Sequence, residues 1–209
     1  MELLNFGWNN QTYVFLATLS VVLFGTWGLY GQAKKIWANR SGKSVSVVLI
    51  SVLSFLYLSF VFYGVEKLSV ACITQGVLRT ALCVPIMLGL YRFKGFKMKE
   101  VILNILMCMV FVCMMFIQQI PLMFLVFNIA SAIVAIFLPW EMVKEKSHGV
   151  VSMKLLVTSL TSFLFWLWYG IVFRDLIIIG TTTSLSIIFA TSIVIWIYYW
   201  KKEKISVKV

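Results

Sequence analysis

At 209 residues, 62% apolar and 12% charged with a mean hydropathy of +0.99, the chain carries more apolar surface than a water-soluble globule of this size can hide. Its net charge of +11 does not signal a nucleic-acid partner, because Lys and Arg fall in alternate loops and not on one contiguous face. The bilayer is the expected solvent, and an all-α membrane protein the expected class.

A spanning helix needs about 20 mostly apolar residues. In chain order, the charge-poor windows place spans at Tyr13–Tyr30, Val45–Tyr63, Leu68–Tyr91, Val101–Ile117, Leu122–Leu138, Val151–Val172 and Leu176–Tyr199. The third is interrupted by Arg79 alone, and Gln118, Gln119 and Pro121 mark the turn that divides a long uncharged run into the fourth and fifth. The first span lacks the basic flank and small-residue cleavage site of a signal peptide and is kept as a span. Basic clusters follow spans one, three and five and form the tail, whereas the opposite loops hold only Lys67 and Arg174, each beside an acid. The positive-inside rule then puts the N-terminus outside and the C-terminus inside, which needs an odd number of spans. Cys72, Cys83, Cys108 and Cys113 all fall inside spans, where neither a secreted disulfide framework nor a zinc site is expected.

Sliding the sequence by 106 positions, without gaps, aligns Ser41 with Ser147, Val45-Ser46 with Val151-Ser152, Leu49 with Leu155, Leu58 with Leu164 and Tyr63-Gly64 with Tyr169-Gly170. Phe60 and Phe62 fall opposite Trp166 and Trp168. The shift carries spans one to three onto five to seven and leaves the fourth unmatched, so two parallel three-helix repeats are expected around a linker helix. The first repeat occupies 1–91, the linker 92–120, the second repeat 121–200 and a basic tail 201–209. Parallel repeats are a transporter device in which the halves rock to alternate access.

Pro139, followed by Lys146-Ser147-His148-Gly149-Val150-Val151-Ser152, resembles the proline, basic-Ser, Gly and Ser spacing of the PQ-loop proteins, with Trp140 where Gln is usual. Ser162, Trp166, Tyr169-Gly170 and Asp175 are similar to the stretch joining two helices in SWEET sugar transporters of the same wider family (MtN3/saliva). The resemblance implies a three-plus-one-plus-three fold and sugar transport, with Trp166 as the ring that packs on the sugar and Phe60 as its counterpart. It also implies substrate contacts at the family's Pro-Asn positions, where this chain has Thr181-Thr182 and, in the first repeat, Gln75-Gly76.

Ser159, Ser162, Trp166, Tyr169 and Phe173 recur at three- and four-residue spacing and share one helix face, which suits a solute with polar edges and a carbon surface. Close packing of small hydroxyl residues and an interfacial aromatic belt are the alternative reading. Thr182 and Ser186 share a face of span seven, and Cys72, Gln75 and Arg79 one of span three. A charge at mid-span costs about 2.5–3.5 kcal/mol on insertion scales. Arg79 therefore either meets an anionic or carbonyl-bearing ligand or bonds backbone carbonyls and Gln75 as a structural tie. Gly25, Gly28 and Gly31, with Pro85, Pro121 and Pro139 at breaks or ends, are candidate hinges, and Tyr63 and Tyr169 candidate gates. The Met and Cys residues of span four are spread around the helix and read as packing in preference to a copper site.

The expected function is facilitated diffusion of a small polar solute, a sugar first, because every acid sits at a helix end or loop and the single histidine is the loop residue His148. Phe60, Gln75, Gly76, Arg79, Ser162, Trp166, Thr182 and Ser186 are the expected substrate contacts. The alternatives are a PQ-loop-type carrier of amino acids or anionic metabolites, and a seven-helix cargo receptor without solute flux. A retinal protein is not expected, since no lysine lies between Leu176 and Trp200, nor is an enzyme, since the spans hold no carboxylate pair, no His near a nucleophile and no metal-ligand cluster. No cofactor, metal or nucleic acid is expected; the partners are the solute and the lipid, with homo-oligomers left open. The expected location is the cell membrane, or an intracellular membrane in a eukaryote. A fluorescent protein fused after Val209 in a bacterial host should fluoresce, and a periplasm-dependent phosphatase fused there should stay inactive; the reverse pattern would invert the orientation.

Overall fold

The computed structural model describes residues 2–42, 45–146 and 153–206. A short 3-10 helix, Glu2–Asn5, precedes α1 (Asn10–Asn39), α2 (Val47–Glu66), α3 (Val70–Phe93), α4 (Met98–Phe116), α5 (Ile120–Glu145), α6 (Met153–Phe173) and α7 (Leu176–Ser206). Among the described residues there is no strand, and all seven α-helices are long and apolar enough to cross a membrane. The chain is a multi-pass membrane protein. Helices are what the solvent demands, because hydrocarbon offers no partner for a bare N–H or C=O.

Several helices outrun their expected spans. The 30 residues of α1 reach about 45 Å, beyond a hydrocarbon layer of about 30 Å, so its last turns carry Lys34 and Lys35 past the apolar stretch. Pro139, expected at a break or end, lies inside α5, which continues to Glu145. Proline removes one helical donor, and a membrane helix tolerates that loss where neighbours or local adjustment satisfy the freed carbonyl. Pro85 likewise lies within α3. Pro121 is the second residue of α5, where its missing N–H is no loss. The predicted start of span six at Val151, and Ser147 to Ser152 of the PQ-loop-like stretch, lie outside the described residues.

The packing divides into two compact units, Met1–Ser131 and Ala132–Val209, with the boundary inside α5. In the first, α3 packs against both α1 and α2, and α2 also against α4. Ala33 and Ile36 of α1, Val47 and Ile50 of α2, and Ile86 and Leu90 of α3 form one buried cluster at one end. In the second unit α6 packs along α7.

The 106-residue shift reappears as local geometry. Leu68 and Arg174, related by the shift, both adopt a left-handed conformation, with φ of 52° and 56°. At each turn the next residue closes the helix end: Ser69 N–H donates to the Gly64 carbonyl, and Asp175 N–H to the Gly170 carbonyl, both at 2.8 Å. This is the bonding of a Schellman cap. The same residues then cap the following helix, since Ser69 Oγ accepts from Cys72 N–H at 3.2 Å and Asp175 Oδ1 from Ile178 N–H at 3.0 Å. Arg40 and Lys146 form a further left-handed pair, with φ of 46° and 52°. The repeated Tyr-Gly pair has its reason here. A Cβ on Gly64 would stand 2.7 Å from the Ile73 nitrogen and one on Gly170 3.1 Å from the Ile179 nitrogen, so glycine lets each helix pair close tightly. The expected turn between spans four and five is also present, with Gln118 left-handed at φ 55° and Gln119 N–H donating to the Met114 carbonyl at 3.1 Å.

One feature has no counterpart among the described residues of the second unit. The Glu2 side chain is only 2% exposed and its carboxylate accepts from Ser69 Oγ at 2.8 Å, Val70 N–H at 3.1 Å and Ala71 N–H at 3.2 Å. An anion on the free donors of a helix N-terminus is stabilised by charge-assisted bonds and the helix dipole. The second unit uses its own Asp175 for this task. Glu2→Ala should therefore lower thermal stability in detergent by about 1–3 kcal/mol, the cost of stranding buried donors, with Glu2→Gln intermediate; a melting temperature unchanged in both would refute the capping role.

Candidate functional site

In the first unit the informative residues lie on α3, the helix packed between α1 and α2. Gly76 is buried, and a Cβ there would stand 2.6 Å from the Val61 nitrogen and 2.8 Å from the Tyr57 carbonyl oxygen. It is therefore a close-approach glycine that seats α3 on α2. Gln75, next to it, is 4% exposed, and its Oε1 has no hydrogen-bond partner. One turn on, the Arg79 guanidinium stacks over the Tyr57 ring at 5.3 Å, a cation–π contact. It also lies against Gly25 of α1, where any side chain would collide with it. The buried Nε of Arg79 meets no acceptor, and the buried hydroxyls of Thr18 on α1 and Thr80 on α3 have no partner. Of the three expected hinge glycines, Gly25 is thus the seat of Arg79, while Gly28 and Gly31 face open space in an unbroken helix.

Phe60 is 7% exposed and meets the edge of Phe124 at 4.6 Å, and Tyr63 stacks on the same Phe124 ring at 4.2 Å and 14°. The first turns of α5 thus complete an aromatic cluster whose third member, Phe124, the sequence reading did not single out. No repeat identity or polar motif marks it.

In the second unit Trp166 is 3% exposed and packs edge-on against Tyr169 at 5.2 Å; Tyr169 in turn contacts Phe173 at 4.5 Å. Ser162, one turn before Trp166, is half-buried. The run of hydroxyls on α7 separates into two kinds. Thr181, Thr182 and Ser184 donate to the carbonyls of Ile177, Ile178 and Gly180 at 2.8, 2.6 and 2.9 Å, the local bond by which such residues satisfy themselves in a helix. Ser186 is buried and its hydroxyl has no partner. Its counterpart under the 106-residue shift is Thr80, the other buried unpartnered hydroxyl at that register. Thr80 was legible only through the repeat. Glu141, just past Pro139, is exposed.

The backbone matches the solved structure of a eukaryotic SWEET transporter with a TM-score of 0.71, over 90% of this chain and 96% of that one. The fold is that of a SWEET transporter. Sequence identity across the match is 15%, so the likeness is one of fold. No family model and no curated protein matches the sequence. Three glycines separate the roles of these residues experimentally. Gly28→Ala should raise thermal stability by about 1 kcal/mol, the ordinary gain in helix propensity. Gly25→Ala should gain less, because the guanidinium must leave Tyr57, and Gly76→Ala should lose about 1–3 kcal/mol by forcing α3 off the α2 backbone. Any other order of melting temperatures would overturn these assignments.

Proposed function

We propose that the chain is a SWEET-type transporter carrying a small polar solute, with a sugar as the first class, by facilitated diffusion through alternating access of its two repeats. The observation that carries this reading is the SWEET fold built on a 106-residue internal repeat, each copy holding buried polar groups within its spans. Gln75 in the first repeat and Ser162 and Ser186 in the second supply hydrogen bonds, and Phe60 and Trp166 supply aromatic surface. Thr182 offers acceptor lone pairs, since its proton is committed to the Ile178 carbonyl. Tyr63 and Tyr169, at equivalent helix ends beside the close-approach glycines, are the proposed gates.

Uniport fits the placement of acids. Glu66, Glu100, Glu141, Glu145, Asp175 and Glu203 stand near helix ends or in turns, and Glu2 is engaged at the α3 terminus, so no described span carries a carboxylate relay at its middle. A second reading, a carrier of anionic metabolites or amino acids, is favoured by Arg79. The proposed location is the cell membrane, or an intracellular membrane in a eukaryotic host, with the N-terminus outside.

Purified protein in proteoliposomes should equilibrate radiolabelled monosaccharides down their gradient, at an initial rate unchanged by a protonophore. Trp166→Ala should cut that rate at least tenfold. A rate that collapses when the proton gradient is removed would overturn uniport, and absence of flux for every sugar and sugar derivative tried would overturn the transport reading.

A further inference from the structure

Arg79 is the only ionised side chain at the middle of a described span: it lies nine residues from the start of α3 and fourteen from its end, about 14 and 21 Å along the axis. Such a position is far from either headgroup layer, and a charge there faces a wet path or a partner. The protein supplies a ring face at Tyr57 and bare backbone at Gly25, but neither is an anion. The guanidinium's Nε, buried and without an acceptor, is a charge-assisted donor.

Gln75 precedes Arg79 by one helical turn on the same face of α3, a Cβ separation of about 5–6 Å. Its Oε1 is buried and has no donor. The two groups have opposite needs and are close enough in sequence to satisfy each other, yet they are not bonded to one another. Together they present a cationic donor and a neutral acceptor side by side. The complementary ligand has a carboxylate next to a hydroxyl: the carboxylate accepts from Arg79 and the hydroxyl donates to Gln75.

The second repeat lacks this pair. Leu185 and Thr181 stand at the positions of Arg79 and Gln75, and Thr181 donates to the Ile177 carbonyl. Charge recognition is therefore confined to one half, which fits a solute with a single anionic end. We propose that Gln75 and Arg79 recognise a 2-hydroxycarboxylate, and that the solute is a sugar acid of the aldonate class in preference to a neutral sugar. This rests on the transport reading above for its setting, but the binding step is separable from flux.

The test measures binding of radiolabelled gluconate and radiolabelled glucose to the full-length chain in detergent, and uptake of both into phosphatidylcholine vesicles. Wild type should bind gluconate at least tenfold more tightly than glucose. Arg79→Gln should lower gluconate affinity at least tenfold and leave glucose within twofold, Arg79→Lys should retain part of the preference, and Gln75→Leu should weaken gluconate several-fold. Equal wild-type affinity for the two probes, or an equal loss of both in Arg79→Gln, would overturn the proposal. Where Arg79→Gln does not yield folded protein, Gly25→Val keeps the charge but displaces the guanidinium, and should lower gluconate affinity at least fivefold; an unchanged affinity overturns the proposal. Gluconate binding without uptake would leave the site standing and remove the transport reading, while glucose uptake without a gluconate preference would do the opposite.

Discussion

In hydrocarbon every backbone N–H and C=O must find its partner inside the protein, and most of this structure follows from that requirement. It forces the spans into helices, and it makes the helix ends the places where the sequence must be specific. Five described helix ends are closed around a left-handed residue that is not glycine: Arg40, Leu68, Gln118, Lys146 and Arg174. Such a conformation is unusual for a residue with a side chain. At the Leu68, Gln118 and Arg174 turns the bonds to carbonyls three and five residues back offset it. Glu2 answers the same requirement at the other kind of terminus, bringing a carboxylate to the free donors of α3.

The Tyr-Gly identity of the repeat belongs to these turns. Tyr63-Gly64 and Tyr169-Gly170 recur because each glycine stands against the backbone of the helix that follows, at Ile73 and Ile179. Ser69 and Asp175 differ in identity but share a task, since either oxygen caps the next helix. Between the turns the requirement relaxes to apolarity. The solved SWEET structure likewise shares this fold, at a TM-score of 0.71, with 15% of the residues identical.

Polar groups within the spans follow the same rule with a different outcome. Thr181, Thr182 and Ser184 satisfy themselves on their own helix and need nothing further. Thr18, Gln75, Arg79, Thr80 and Ser186 each bury an atom that does not. An unsatisfied group in a low-dielectric setting is costly, and such groups are the natural places to meet a solute. They do not divide evenly between the repeats, since the charge belongs to the first alone.

The sequence by itself determined the number of helices, the repeat and its register, and the identity of the isolated charge, because hydropathy and self-similarity are properties of the chain and need no partner to be read. Arg79 stood out for the same reason. Only the tertiary structure decided what surrounds it. That Gly25 is a seat for the guanidinium, that Gly76 holds α3 to α2, that Phe124 joins Phe60 and Tyr63, and that Ser186 and not Thr182 keeps an unpartnered hydroxyl all depend on which faces of different helices meet. Helical periodicity says which residues share a face; in a chain apolar on nearly every side it does not say which neighbour that face finds.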